Sequence, residues 1–205
     1  MLSILPYNEP AEVREACGLP ESVTDEVLSR FIIKGDREAI GKVTVTVWDE
    51  EPEGAVNGAN KTFTLVNSPL ADINADSKVD AYDISVWKWY TPGDILSRVK
   101  MEVGEVDAVY KEGVITLEAA PELGQALTVD YAYYPQEVDF SKLKDAASYF
   151  AGYFYVLSEW LLLPDSYSLG PLRFKTSYPW RLLEVEAMKL INQIRSKLHV
   201  KGEAE

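Results

Sequence analysis

Apolar residues recur along this chain with two different periods, and the change from one to the other divides it. Near the start, Asn8-Glu9-Pro10 followed by Ala11–Ala16 predicts a short helix, capped by Asn8 or Glu9, with Pro10 in its first turn and Gly18 as its stop. Thr24 caps a second predicted helix, whose Asp25 and Glu26 sit where the helix dipole favours anions. Val27, Leu28, Phe31, Ile32 and Ile40 supply its apolar face, and Gly35 weakens it midway by about 1 kcal/mol relative to Ala. From Lys42 the period becomes two. Val43, Val45 and Val47 alternate with polar residues, and so does Lys61–Leu65 after an Asn57-Gly58 turn.

Further alternating runs follow. Ile84, Val86 and Lys88 share one face, with Ser85, Trp87 and Trp89 on the other. Val99 to Tyr110 suggests one or two strands, Glu112-Gly113 a turn, and Val114–Leu117 and Ala126–Tyr133 two more strands. Six or seven short strands with frequent turns predict a small antiparallel β-sandwich or barrel. Beyond Pro135 the helical period returns. Asp139 or Ser141 caps a long helix to Leu163, stopped by Pro164. It is apolar nearly all round, with Leu143, Ala146, Ala147, Phe150, Phe154, Leu157 and Leu161 on one face and Tyr149, Tyr153, Val156 and Trp160 on a second. Such a helix is buried on more than one side, by its own chain or by another subunit. Asp165–Tyr178 reads as a loop, and Pro179 opens a last helix with Leu183, Ala187, Leu190, Ile191, Ile194 and Leu198 on one face. The tail Lys201–Glu205 reads as frayed. The expected class is α+β: residues 1–41 and 136–205 form a helical body from both chain ends, and 42–135 form an inserted β-module.

Composition narrows the function. With 47% hydrophobic residues in 205, the chain can bury a core. A net charge of −13 argues against a surface that grips nucleic-acid phosphates. One cysteine, Cys17, allows no internal disulfide, and with a single histidine, His199, it is poor material for a Cys–His nucleophile or a zinc site. No phosphate loop, nucleophile elbow, paired-His metal motif or dinucleotide fingerprint is present, so the expectation is a protein that is not an enzyme. No signal peptide is visible. Ala146–Leu163 reaches the length of a membrane span, but Glu159, Gly152 and its scattered Tyr and Phe residues fit a buried helix better.

The one stretch with evident chemistry is Asp72–Asp83. Oxygen side chains fall at loop positions 1, 3, 5, 9 and 12, from Asp72, Asn74, Asp76, Asp80 and Asp83, and Lys78 at position 7 offers its backbone carbonyl. This is the spacing of an EF-hand calcium loop, with Ser77 in place of the usual glycine at position 6 and Asp83 in place of glutamate at position 12, as in dockerin-type loops, which the stretch resembles. Four carboxylates so close repel by about 1 kcal/mol per pair at 4 Å even in water, which a calcium ion would relieve. Flanking strands, rather than the helix pair of a calcium sensor, point to a structural role for the ion. Trp87, Trp89 and Tyr90 form an aromatic cluster that could serve as a sugar platform or as packing.

The segments Tyr7–Pro20 and Thr24–Leu28, with the Tyr-rich helix, the loop Pro164–Phe174 and the last helix, resemble in layout the head–tail connector (adaptor) proteins of long-tailed viruses. The calcium loop among β-strands resembles β-inserts in structural proteins of archaeal tailed viruses. The resemblance implies a virion protein of the neck, made in the host cytoplasm and assembled as a twelvefold ring. Its partners would be copies of itself, the portal protein and further neck or tail proteins, with DNA passing through without specific binding and no membrane involved. The alternative is a calcium-dependent carbohydrate-binding or adhesive β-module.

Overall fold

The computed structural model describes residues 8–76, 78–80, 82–92, 94–101, 106–109, 113–136, 138–160, 166–169, 172–175 and 179–199. The protein is α+β, with helices at both ends and antiparallel sheets between them. Its contacts divide it into two compact units, Met1–Lys42 with Asp139–Glu205, and Val43–Val138.

The helical unit contains α1 (Pro10–Cys17), α2 (Asp25–Val43, whose last residue enters the other unit), α3 (Phe140–Trp160) and α4 (Pro179–His199). α1 opens with the Glu9 N–H donating to Glu12 Oε2 at 2.8 Å and closes on Gly18 in the left-handed region, φ 63°. Asn8 does more than border this helix. It is buried, donates to Asp36 Oδ1 of α2 at 3.2 Å and to the Lys144 carbonyl of α3 at 3.1 Å, and accepts from the Ser148 hydroxyl at 2.5 Å. One amide thus ties the N-terminal segment to two helices. Val13, Leu28, Ile32 and Ala151 form an apolar core beside it.

Two glycines set how closely the helices approach. A Cβ on Gly35 would fall 2.5 Å from the Ala147 carbonyl oxygen and 2.6 Å from the Ala151 nitrogen, so the residue that weakens α2 by propensity lets α3 pack against its backbone. A Cβ on Gly152 would fall 2.3 Å from Cys17 Sγ. Burial pushes the Cys17 thiol up to about 11, which keeps it protonated and inert. On α3, Leu143, Ala146, Ala147, Phe150 and Ala151 are buried, whereas Tyr153–Ser158 are only partly covered. On α4, Ala187, Ile191 and Ile194 are fully buried.

The β-unit is two sheets around one core. β1 (Val45–Glu50), β7 (Ala126–Tyr133), β3 (Ser85–Trp89) and β4 (Arg98–Lys100) lie in that order in one; β2 (Thr62–Thr64), β6 (Val114–Leu117) and β5 (Val106–Val109) form the other. Phe63, Ile115 and Leu117 from the second sheet meet Val86, Leu127, Val129 and Tyr131 from the first. β2 and β6 send alternate residues inward, as period-two patterning requires, whereas β7 buries Leu127, Thr128 and Val129 in succession.

Several boundaries differ from the sequence reading. α2 continues through Val43, where alternation suggested a strand; the helical i−4 bonds of an established helix are kept until Thr44. The expected loop Asp165–Tyr178 contains a hairpin, β8 (Ser166–Leu169) pairing antiparallel with β9 (Leu172–Lys175). Gly170-Pro171 between two alternating runs is a turn signal that aromatic content obscured. Val103, Tyr110, Leu161–Pro164, Asp165, Tyr178 and Lys201–Glu205 lie outside the described residues, as does the predicted C-terminal end of α3. Among the described residues, no helix is long and apolar enough to cross a membrane.

Gly35 and Gly41 lie on the same helix in opposite surroundings, since a Cβ on Gly41 would meet nothing within 4 Å. Gly35→Ala is therefore expected to destabilise the protein by about 1–3 kcal/mol through overpacking. Gly41→Ala is expected to stabilise it by about 0.5–1 kcal/mol through helix propensity. Urea unfolding of both variants, followed by helical circular dichroism, checks the pair.

Candidate functional site

The acidic loop runs from the end of β2 to the start of β3 and is held to the core at three places. On entry, the Ala71 N–H donates to the Ala132 carbonyl at 2.8 Å and Leu70, fully buried, bridges Tyr133. Midway, Val79 reaches the core, and on exit Ile84 does the same. Position 8 of the loop is thus an apolar anchor.

Between these anchors the oxygen-bearing side chains curl the backbone. Asp72, 3% exposed, accepts from the Asp76 N–H at 3.2 Å. Asn74 Oδ1 accepts from the same N–H at 2.9 Å, and Asn74 Nδ2 donates to Asp76 Oδ2 at 3.3 Å. Asp76 Oδ1 accepts from the Lys78 N–H at 3.0 Å. Asp80 Oδ1 accepts from the Tyr82 N–H at 2.8 Å. Asp83 closes the loop: Oδ1 accepts from Ile73 N–H at 2.7 Å and Asn74 N–H at 3.0 Å, and Oδ2 from Asp80 N–H at 3.2 Å. The last loop position therefore clamps the second, third and ninth together. Ala75 adopts φ 55°, the left-handed region that a tight curve demands and a side chain resists.

Asp83 is pushed up to about 6, first by burial of its carboxylate and also by the negative charge of Asp72; the N–H groups of Asn74, Asp80 and Ile73 oppose this. Two carboxylates thus share a partly desolvated place. The donor set is all oxygen, the chemistry of a hard cation rather than of zinc or copper. Among the described residues, however, no three Asp, Glu, His or Cys side chains gather at metal-ligating spacing. Asp72, Asn74, Asp76 and Asp83 are drawn together by hydrogen bonds; Asp80 is linked through its own N–H to Asp83; the Lys78 side chain is exposed, and Ser77 lies outside the described residues. The fit to a calcium ion is one of donor type and loop curvature, and the carboxylate oxygens that would bind it hold backbone N–H groups.

The aromatic cluster is built into the other face of the same sheet. Trp87 Nε1 donates to Asp130 Oδ2 at 2.7 Å and Trp89 Nε1 to Thr128 Oγ1 at 3.0 Å. The Arg98 guanidinium stacks on both rings, 4.0 and 5.3 Å from their centres, and pairs with Asp49 at 2.5 Å. Asp49 sits in a bulge of β1, φ 53°, where its N–H donates to Asp130 Oδ1 at 2.8 Å. Both indoles are partly covered, and only Tyr90 of the three aromatics is well exposed. Sequence reasoning missed Arg98, Asp49 and Asp130 because they come from three strands, and no spacing links them.

No protein-family model matches the chain, and no curated protein is significantly similar to it. The functional reading therefore rests on the residues themselves.

The raised Asp83 gives the calcium-free protein a defined pH dependence. Between about pH 4, where an ordinary aspartate ionises, and about 6, the folded protein keeps a proton that the unfolded chain has lost, so stability falls as pH rises through this window. In chelator, the melting temperature of the wild-type protein should fall more from pH 4 to pH 7 than that of Asp83→Asn. Equal slopes would show that Asp83 titrates normally.

Proposed function

We propose that the chain is a structural virion protein, a subunit of the head–tail adaptor ring that joins portal to neck and extends the DNA channel of a tailed virus. It acts by assembly and not by catalysis. The observation that carries this reading is the role of the residues behind the resemblance. Asn8, Val13 and Cys17 are the ones that dock the N-terminal segment on α2 and α3 and make one helical unit from both chain ends. That unit leaves Leu182 and Val185 of α4 exposed, which suits a surface covered by neighbouring subunits.

Charge supports the same reading. The helical unit holds fourteen Lys and Arg against sixteen Asp and Glu; the β-unit holds six against seventeen. Almost all of the net negative charge, −11 of −13, is thus carried by the insert, on which DNA phosphates would not stick. The sugar-platform alternative draws less support, because both indole N–H groups are engaged within the sheet and Arg98 stacks on the rings.

In this reading the loop Asp72–Asp83 holds one structural calcium ion, with Asp72, Asn74, Asp76, Asp80 and Asp83 as side-chain donors and Lys78 through its carbonyl. The ion would neutralise the buried carboxylates and stiffen the β-unit, because binding to a site absent from the unfolded chain adds to folding free energy. At a calcium concentration 100 times the dissociation constant the gain is about 2.7 kcal/mol. Calcium should raise the thermal midpoint of the wild-type protein and leave that of Asp72→Ala/Asp76→Ala unchanged. No calcium shift in the wild type would remove the ion from the proposal.

The ring itself is tested by negative-stain electron microscopy and light scattering of the purified chain, with calcium, alone and with a portal ring. A closed ring with a central pore is the expected result. A chain that stays monomeric in every condition would refute the adaptor reading.

A further inference from the structure

Asn57-Gly58, in the connection between β1 and β2, is the only Asn-Gly dipeptide in the chain. In such a pair the glycine carries no Cβ to shield its nitrogen, which can therefore attack the neighbouring side-chain amide. The Gly58 nitrogen gives its proton to hydroxide and bonds to Asn57 Cγ. The Cγ–Nδ2 bond then breaks, and Nδ2 leaves as ammonia with a proton from water. Water opens the resulting succinimide at either carbonyl, giving aspartate or isoaspartate. The sum is one water consumed and one ammonia released. Both residues are exposed, Gly58 has φ 79°, and a Cβ built there would meet nothing within 4 Å, so solvent and hydroxide reach the pair freely.

What opposes the reaction is the pairing of this turn with the connection between β6 and β7. The Gly58 N–H donates to the Pro121 carbonyl at 3.0 Å. That oxygen cannot take the proton, so a base must first displace it. Pro121 is buried, and the turn behind it is closed by the Glu122 N–H donating to Gln125 Oε1 at 2.8 Å and the Gln125 N–H donating to the Glu122 carbonyl at 3.1 Å. The amide under attack is held as well. Asn57 Oδ1 accepts from the Ala59 and Asn60 N–H groups at 2.9 Å each, which fixes the plane of the amide. We propose that Asn57-Gly58 is a latent deamidation site, locked by the Gly58–Pro121 bond and released when the two connections part. Rotating the Asn57 amide to present its face to the Gly58 nitrogen breaks the bonds at Oδ1, and freeing the nucleophile breaks the bond to Pro121. The product records that opening permanently. It adds a negative charge to an already acidic unit, and as isoaspartate it inserts an extra carbon into the main chain just before the Gly58 donor. The inference is independent of the adaptor reading.

The test follows deamidation of the full chain at neutral pH by peptide mass mapping. Three samples are compared: the folded protein, the same chain unfolded in guanidinium chloride, and folded Gln125→Ala. Asn67-Ser68, whose Asn67 N–H and Nδ2 both donate to the Tyr131 hydroxyl, is read in the same digest as a gauge of opening of the whole β-unit. The rate at Asn57 is expected to be at least about tenfold lower in the folded protein than in the unfolded chain, the effect of breaking hydrogen bonds before attack. Gln125→Ala, which frees the turn behind Pro121, is expected to react at Asn57 at least about threefold faster than wild type, with no change at Asn67. Gln125 is half-buried and its truncation adds no atoms, so the variant keeps the fold, which circular dichroism verifies. A folded protein that deamidates at Asn57 as fast as the unfolded chain, or faster, overturns the proposal, because the donors on Oδ1 then polarise the amide for attack. A Gln125→Ala chain that reacts at the wild-type rate, or that speeds both asparagines alike, overturns the Pro121 lock.

Discussion

β1 and β7 are the first and last strands of the insert, and their antiparallel pairing is the interaction on which the organisation of the chain depends. Val45 lies opposite Tyr133, so the backbone enters and leaves the β-unit at neighbouring positions. Closing a flexible segment of about a hundred residues would cost about 4 kcal/mol in chain entropy. A folded unit whose termini already meet removes most of that cost, because the pairing is stabilised by the core that Val129 and Tyr131 share with the second sheet. The helices on either side of the insert can then be packed as though the chain were continuous. The Glu50 carboxylate reinforces the same edge, accepting from the Tyr131 hydroxyl at 2.6 Å and the Val66 N–H at 2.8 Å.

The helical unit solves the complementary problem of holding two chain ends together. Its means are small residues and one buried polar hub. Gly35 against Ala147 and Ala151, and Gly152 against Cys17, bring helix backbones close enough for extensive dispersion contact. The Asn8 side chain, bonded to α2 and α3, sets the register of α1, since any slip would leave buried polar groups unpaired. The unit is therefore specific at its centre and open at its rim, where α4 keeps aliphatic side chains in water.

The acidic loop and the turn between β3 and β4, on the same unit, use one device to different ends. In each, Asp, Asn or Ser side chains bond nearby backbone N–H or carbonyl groups and give irregular backbone a fixed shape. In the loop this turns carboxylates toward one another, and Asp83 bears the electrostatic cost. At the β3–β4 turn it leaves Ile95 and Leu96 exposed.

The α+β class, the strands and the oxygen-rich spacing at 72–83 were legible in the sequence because each is written in local periodicity. Gly18 announced the end of α1 by residue type alone. The sequence by itself could not determine what Gly35 is for, since the reason is the backbone of α3 more than a hundred residues away. Nor could it show that Arg98, Asp49 and Asp130 lock the two indoles, that Asn8 is a hub and not merely a cap, or that Val43 stays helical. Those were decided by tertiary structure. Local pattern fixes which face of an element is apolar, but only packing between distant segments determines which polar groups are buried together, how closely two backbones approach, and which apolar residues are left uncovered.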